Sequence, residues 1–169
     1  MSDENYLAQS TAASALFLRE AEVRRGIELL FFGHAHFWRA VDAALDEQGL
    51  GRAEYRALYF IARQPGLTVS DLLALLGITK QSLGRALKPL EARGLVITRP
   101  GGRDRRQKEL RLTDAGKHVE GALFALLRDA MGRAYTAAGQ NSVTGFWRVS
   151  EALIPVRERA RVAGLGEAS

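Results

Sequence analysis

The chain of 169 residues contains no cysteine. That excludes disulfides, thiolate metal sites and thiol-based redox sensing together. Histidine and proline are few, with three and four residues. No apolar run approaches the roughly 18 residues needed to span a bilayer. The N-terminus lacks the charged, apolar and small-residue pattern of a secretory signal. A cytoplasmic protein is therefore expected, without a membrane partner. Catalytic signatures are missing too: there is no nucleophile–base set, Walker loop or dinucleotide fingerprint. Gly101-Gly102-Arg103 reads as a hairpin turn, because no helix starts after it. His34 and His36 are two apart on a predicted helix and point in different directions, while His118 is remote in sequence. Neither an enzyme nor a cofactor or metal protein is expected.

Basic charge is present in quantity, and it is concentrated. Between Lys80 and Lys108 nine Lys/Arg face two acids, a net of +7, whereas the whole chain carries +5, so the remainder is net −2. Such clustering suits a polyanion such as nucleic acid.

The apolar pattern is mainly helical. Residues 1 to about 14 read as a loose tail. A helix is predicted from Ala15 to about Glu47, with Gly26 and Gly33 as points where it divides in two, and another from Arg52 to Arg63, closed by Gln64-Pro65-Gly66. Thr68 opens a third helix, with Asp71 at the N3 place of a capping box, and Gly77 ends it. Thr79 caps a fourth, which should reach Arg93. Pro89 predicts a kink in it, or a helix regular only from Lys80 to Lys88. Residues Gly94 to Arg99 and Lys108 to Leu112 alternate like strands around a turn-rich loop. Thr113 caps a long helix to about Tyr135, Gly139 to Ser142 break the chain, and a last helix from Val143 to Val162 is expected to kink at Pro155.

Two helices joined by a tight glycine turn, followed by an arginine-rich hairpin, make a winged helix-turn-helix. The fold expected is mainly α with a small β-hairpin wing. Residues 1–48 form an N-terminal extension and dimerisation helix, 49–112 the DNA-binding region and 113–169 C-terminal dimerisation helices, one compact domain overall. On the fourth helix Leu83, Ala86, Leu87 and Leu90 form a packing stripe, and the opposite surface offers Lys80, Gln81, Arg85 and Lys88. Gln81 suits an adenine edge and Arg85 the O6 and N7 of guanine. Lys80 suits phosphate, and Thr79 and Ser82 suit either. In the wing, Asp104 and Arg106 share a face of an extended segment. The carboxylate can brace the guanidinium and aim it into the minor groove, leaving Arg103 and Arg105 for phosphates.

These residues resemble the MarR family of bacterial winged-helix regulators over most of the chain. The likeness is sharpest in Gly94-Leu95-Val96-Ile97-Thr98-Arg99, in Asp104-Arg105-Arg106, and in Leu110-Arg111-Leu112-Thr113-Asp114-Ala115-Gly116. It implies that Arg106 is the wing arginine and Asp104 its holder. It further implies double-stranded DNA as partner, a pseudo-palindromic site, and a homodimer with interlocked terminal helices. The apolar residues Phe124, Trp147, Leu153 and Ile154 on the late helices independently ask for a partner. The N-terminal extension before Glu28 is longer than the family usually needs. Family members often release DNA on binding a small-molecule effector. Phe31, His34, Trp38, Tyr55 and Tyr59 are the residues suited to such a pocket, although aromatic stripes at helical spacing also serve as core. Two other uses of the fold stay open on the sequence: non-specific, architectural DNA binding, and a winged helix turned to protein contact.

Overall fold

The structure, a computed structural model, describes residues 19–101 and 107–165. The described residues form seven helices and two strands: α1 (Glu20–Glu47), α2 (Arg52–Arg63), α3 (Val69–Leu76), α4 (Lys80–Ala92), β1 (Val96–Pro100), β2 (Lys108–Leu112), α5 (Asp114–Ala138), α6 (Gln140–Leu153) and α7 (Val156–Ala163). This is the mainly helical, hairpin-bearing architecture that the periodicity predicts. The chain divides into two compact units, Met1–Arg39 and Ala40–Ser169. None of the described helices is long and apolar enough to cross a membrane.

In the unit Ala40–Ser169, α2 packs on α3, α4, α5 and β2 and supplies the centre of the core. Its Tyr55, Ala57, Leu58 and Ile61 are buried, meeting the buried stripe Leu83, Ala86, Leu87 and Leu90 of α4. Among the described residues no polar or charged side chain is classed as buried. The hairpin pairs antiparallel from Val96↔Leu112 to Pro100↔Lys108. It gains a third backbone partner that the strand pattern did not announce. Leu110 N–H donates to Leu67 O at 2.8 Å, and Thr68 bridges Glu109. The chain entering α3 is thereby stitched to the wing.

The Leu-Thr-x-x-Gly run at the start of α5 has a steric explanation. Thr113 Oγ1 accepts from Gly116 N at 3.0 Å and donates to Gly94 O at 2.7 Å, so one hydroxyl caps α5 and ties it to the end of the preceding turn. A Cβ on Gly116 would lie 2.0 Å from Leu95 O. Only a residue without a side chain fits there.

Four boundary expectations need correction. Helix α1 runs unbroken through Gly26 and Gly33, because a glycine costs only about 1 kcal/mol relative to alanine inside a helix and does not forbid it. Ala15 to Leu18, where that helix was expected to begin, lie outside the described residues. Helix α4 reaches Ala92, with the expected end Arg93 as its C-cap, so it is the alternative of a helix regular only to Lys88 that falls; the fully buried Leu90 beyond Pro89 anchors the last turn in the core. Between α5 and α6 the break is the single residue Gly139, at φ +78°, and α6 starts at Gln140 rather than Val143. Finally, Pro155 ends a helix instead of bending one. Ile154 is extended at φ −82°, ψ 127°, as expected for a residue whose helical conformation clashes with the following proline ring.

Candidate nucleic-acid interface

The turn between α3 and α4 is built from local chemistry. Gly77 takes the left-handed conformation at φ +62° that closes α3, a conformation costly for residues with a Cβ. The guanidinium of Arg56 on α2 donates to Leu76 O at 3.2 Å and holds that helix end. Thr79 then caps α4: its hydroxyl accepts from Ser82 N at 3.2 Å and donates to Ser82 Oγ at 2.9 Å. At α3 the capping box takes a variant form. Thr68 Oγ1 accepts from Asp71 N, but the Asp71 carboxylate accepts a hydrogen bond from the Thr68 hydroxyl at 2.6 Å, being one methylene shorter than the usual glutamate.

With its leucine stripe buried, α4 turns the remaining surface outward. Lys80, Gln81, Arg85 and Lys88 are all exposed, Thr79 is exposed and Ser82 half-buried. The six residues therefore sit together on one helix and its cap. None of Lys80, Arg85 and Lys88 forms an ion pair with a described residue. Arg85 reaches Ser82 Oγ only at 3.4 Å. These three cations and the Gln81 amide keep hydrogen-bonding capacity for phosphates and base edges, spread from the start of the helix to its third turn. Arg103, Asp104, Arg105 and Arg106 lie outside the described residues.

The wing is nonetheless fastened to α4. Thr98 on β1 donates to Glu91 Oε1 at 2.5 Å, linking the strand face that it shares with buried Val96 to the last turn of the helix. Sequence reasoning passed over this pair, since a strand residue and a helix residue seven apart show no shared period.

The aromatic residues named for an effector do not gather in one place that can be described. Phe31 is exposed, and His34 accepts from Trp38 Nε1 at 3.0 Å, within the unit Met1–Arg39. Tyr55 and Tyr59 lie 6.4 Å apart between ring centroids, tilted at 57°, in the other unit, with Phe124 6.2 Å from Tyr59. Tyr55 is a core side chain, and burial pushes its phenol well above the usual range. Nearby Glu120 is held above the ordinary carboxylate value by burial, opposed by Arg63. Asp114 is lowered by its bond to Lys117, and Arg52 raised by its bond to Asp42. None of these shifts falls on the exposed face of α4.

Comparison with known proteins agrees with this geometry. A family model described as MarR family matches residues 48–107, the stretch from the end of α1 into the wing. The HTH-type transcriptional regulator PetP of Rhodobacter capsulatus is 46% identical over 139 residues, covering 82% of this chain and 84% of that protein. Among solved structures, CouR from Rhodococcus jostii RHA1, described as bound to p-coumaroyl-CoA, superposes with a TM-score of 0.62 at 27% identity, over 74% of this chain and 87% of that one. A MarR family regulator from Silicibacter pomeroyi shares the fold with a TM-score of 0.66 at 22% identity, over 80% and 92% of the two chains. The chain belongs to the MarR family of winged helix-turn-helix, DNA-binding transcriptional regulators.

Proposed function

We propose that this regulator binds a pseudo-palindromic operator as a homodimer, the two copies of α4 entering successive major grooves about 34–36 Å apart. The observation that carries the reading is the division of α4 into a buried leucine stripe and an exposed face of Lys80, Gln81, Arg85 and Lys88 that makes no ion pair with a described residue. Gln81 and Arg85 read bases. Lys80, Lys88 and the hydroxyls of Thr79 and Ser82 position the helix on the backbone. Arg106, held by Asp104, enters the minor groove, with Arg103 and Arg105 on phosphates. Residues 49–112 form the reading region, between a dimerisation helix in 1–48 and dimerisation helices in 113–169. The protein works in the cytoplasm. A small-molecule effector releases it, as the ligand described for CouR suggests. The residues offered to an unspecified effector are Phe31, His34 and Trp38 in the unit Met1–Arg39 and, taken separately, Tyr55 and Tyr59 in the unit Ala40–Ser169.

Selection from fragmented genomic DNA at near-physiological salt tests this reading. Enrichment of a two-fold symmetric site is expected. Salt-sensitive binding without an enriched site would indicate an architectural role instead, and no DNA binding in any effector-free preparation would point to protein contact. On the selected site, Arg106→Ala should weaken binding broadly across sequences, measured by fluorescence anisotropy. Unchanged affinity would sink the wing assignment.

A further inference from the structure

Beside α4 the reading region carries an open cleft of about 650 Å³, lined by residues from four elements and the loops next to them. Two of its lining side chains are lysines from separate elements: Lys80 starts α4 and Lys108 starts β2. Both are exposed, and neither pairs with a described acid. Two ammonium groups on one concave surface raise its potential, and a cleft with protein walls focuses that field more than a flat surface does. The cleft has one carboxylate, Glu91, one oxygen of which accepts the Thr98 hydroxyl at 2.5 Å. Its charged side chains still sum to a net positive charge. Ser70, also exposed, adds a neutral hydroxyl donor, whereas the Thr68 hydroxyl beside it is spent on Asp71. An anion held in the cleft offsets the repulsion between Lys80 and Lys108, and both lysines and Ser70 carry donors for it.

We infer that this cleft is a phosphate-binding site, and that its ligand is a phosphodiester of the DNA backbone flanking the base pairs read by α4. Lys108 and Ser70 then join the DNA-contacting residues. The inference rests on the operator reading above and extends its footprint from α4 to the base of the wing.

The test compares wild type with Lys108→Gln and Lys108→Arg on the selected duplex between 50 and 200 mM salt. Lys108 is exposed and pairs in the hairpin through its backbone, so both variants should keep their fold, checked by thermal melting. In the homodimer the substitution removes one phosphate contact from each half-site, which lowers the slope of log K against log salt by about 1.8. Wild-type affinity should therefore fall about 12-fold further than that of Lys108→Gln across this range. The loss should be equal for all DNA sequences, and Lys108→Arg should restore the wild-type slope. An unchanged slope in Lys108→Gln, with wild type still salt-sensitive, overturns the cleft alone. Salt-insensitive wild-type binding overturns the operator reading with it. A second arm titrates inorganic phosphate into the DNA-free protein at constant ionic strength. Phosphate binding that is lost in Lys108→Gln, with the salt slope for DNA unchanged by that substitution, would reassign the cleft to a free phosphorylated molecule.

Discussion

At the scale of single residues, the reading surface and the fold depend on different chemistry. Arg85 is exposed and bonded only weakly to Ser82, so removing it leaves the core intact. Arg85→Ala should cost about 1–3 kcal/mol of operator affinity and relax the preference at one base per half-site. Competition with single-base operator variants measures this, and equal weakening on all sequences would make Arg85 a phosphate contact. Gly116 presents the converse case, since it touches no expected ligand and is sterically closed. A methyl placed 2.0 Å from Leu95 O must push α5 away from the backbone that leads into β1. Gly116→Ala should therefore destabilise the fold by about 1–3 kcal/mol or more, seen as a lower urea midpoint with unchanged slope. The composition shows seventeen glycines, and nothing in their spacing singles this one out. Its role follows from the carbonyl that the fold brings against it.

At the scale of elements, the caps were legible and the interruptions were not. Thr68, Thr79 and Thr113 each stand at a helix start and accept a backbone N–H three residues on, because capping is satisfied within a few bonds of chain. Helix α2 likewise spans Arg52–Arg63 as predicted. The fate of Pro89 and Pro155 depended instead on what lies beyond each. After Pro89 comes Leu90, fully buried, and the helix continues; after Pro155 the α7 residues are largely exposed and nothing draws the chain back into register. Pro89→Ala should accordingly raise stability by about 1–3 kcal/mol, as it restores a backbone hydrogen bond and relieves the ring clash. Chemical denaturation measures it. A loss of stability would mean that the proline ring itself packs productively.

At the scale of the whole molecule, a lone chain leaves much apolar surface facing water. Phe124, Phe146, Trp147, Val149 and Leu153 are exposed in the unit Ala40–Ser169, as are Ile27, Leu30 and Phe31 in the unit Met1–Arg39. Of the residues expected to ask for a partner, only Ile154 is partly covered within its own chain. Burying such surface is favourable by roughly 25 cal/mol per Å², which a second copy of the chain would supply. Sedimentation should give a dimer for the wild type. Leu153→Glu, at a side chain 66% exposed in the lone chain, should shift the protein towards monomer while keeping its helical content. A wild-type monomer at micromolar concentration would remove the dimer from the proposed function.

The sequence by itself determined the helical class, the turn at Gly77, the cap residues and the two-faced character of α4. Each of these follows from interactions among neighbours: side chains three and four apart on one face, hydroxyls reaching the next turn, and a glycine at positive φ. Only the tertiary structure decided which glycine is sterically required, which proline a helix tolerates, that Leu67 and Thr68 join the wing, and that Thr98 is bound to Glu91. The same holds for Lys80 and Lys108, 28 positions apart in the chain yet lining one cleft. Those outcomes turn on which groups the folded backbone brings within a few ångströms of one another, and separation along the chain does not encode that distance.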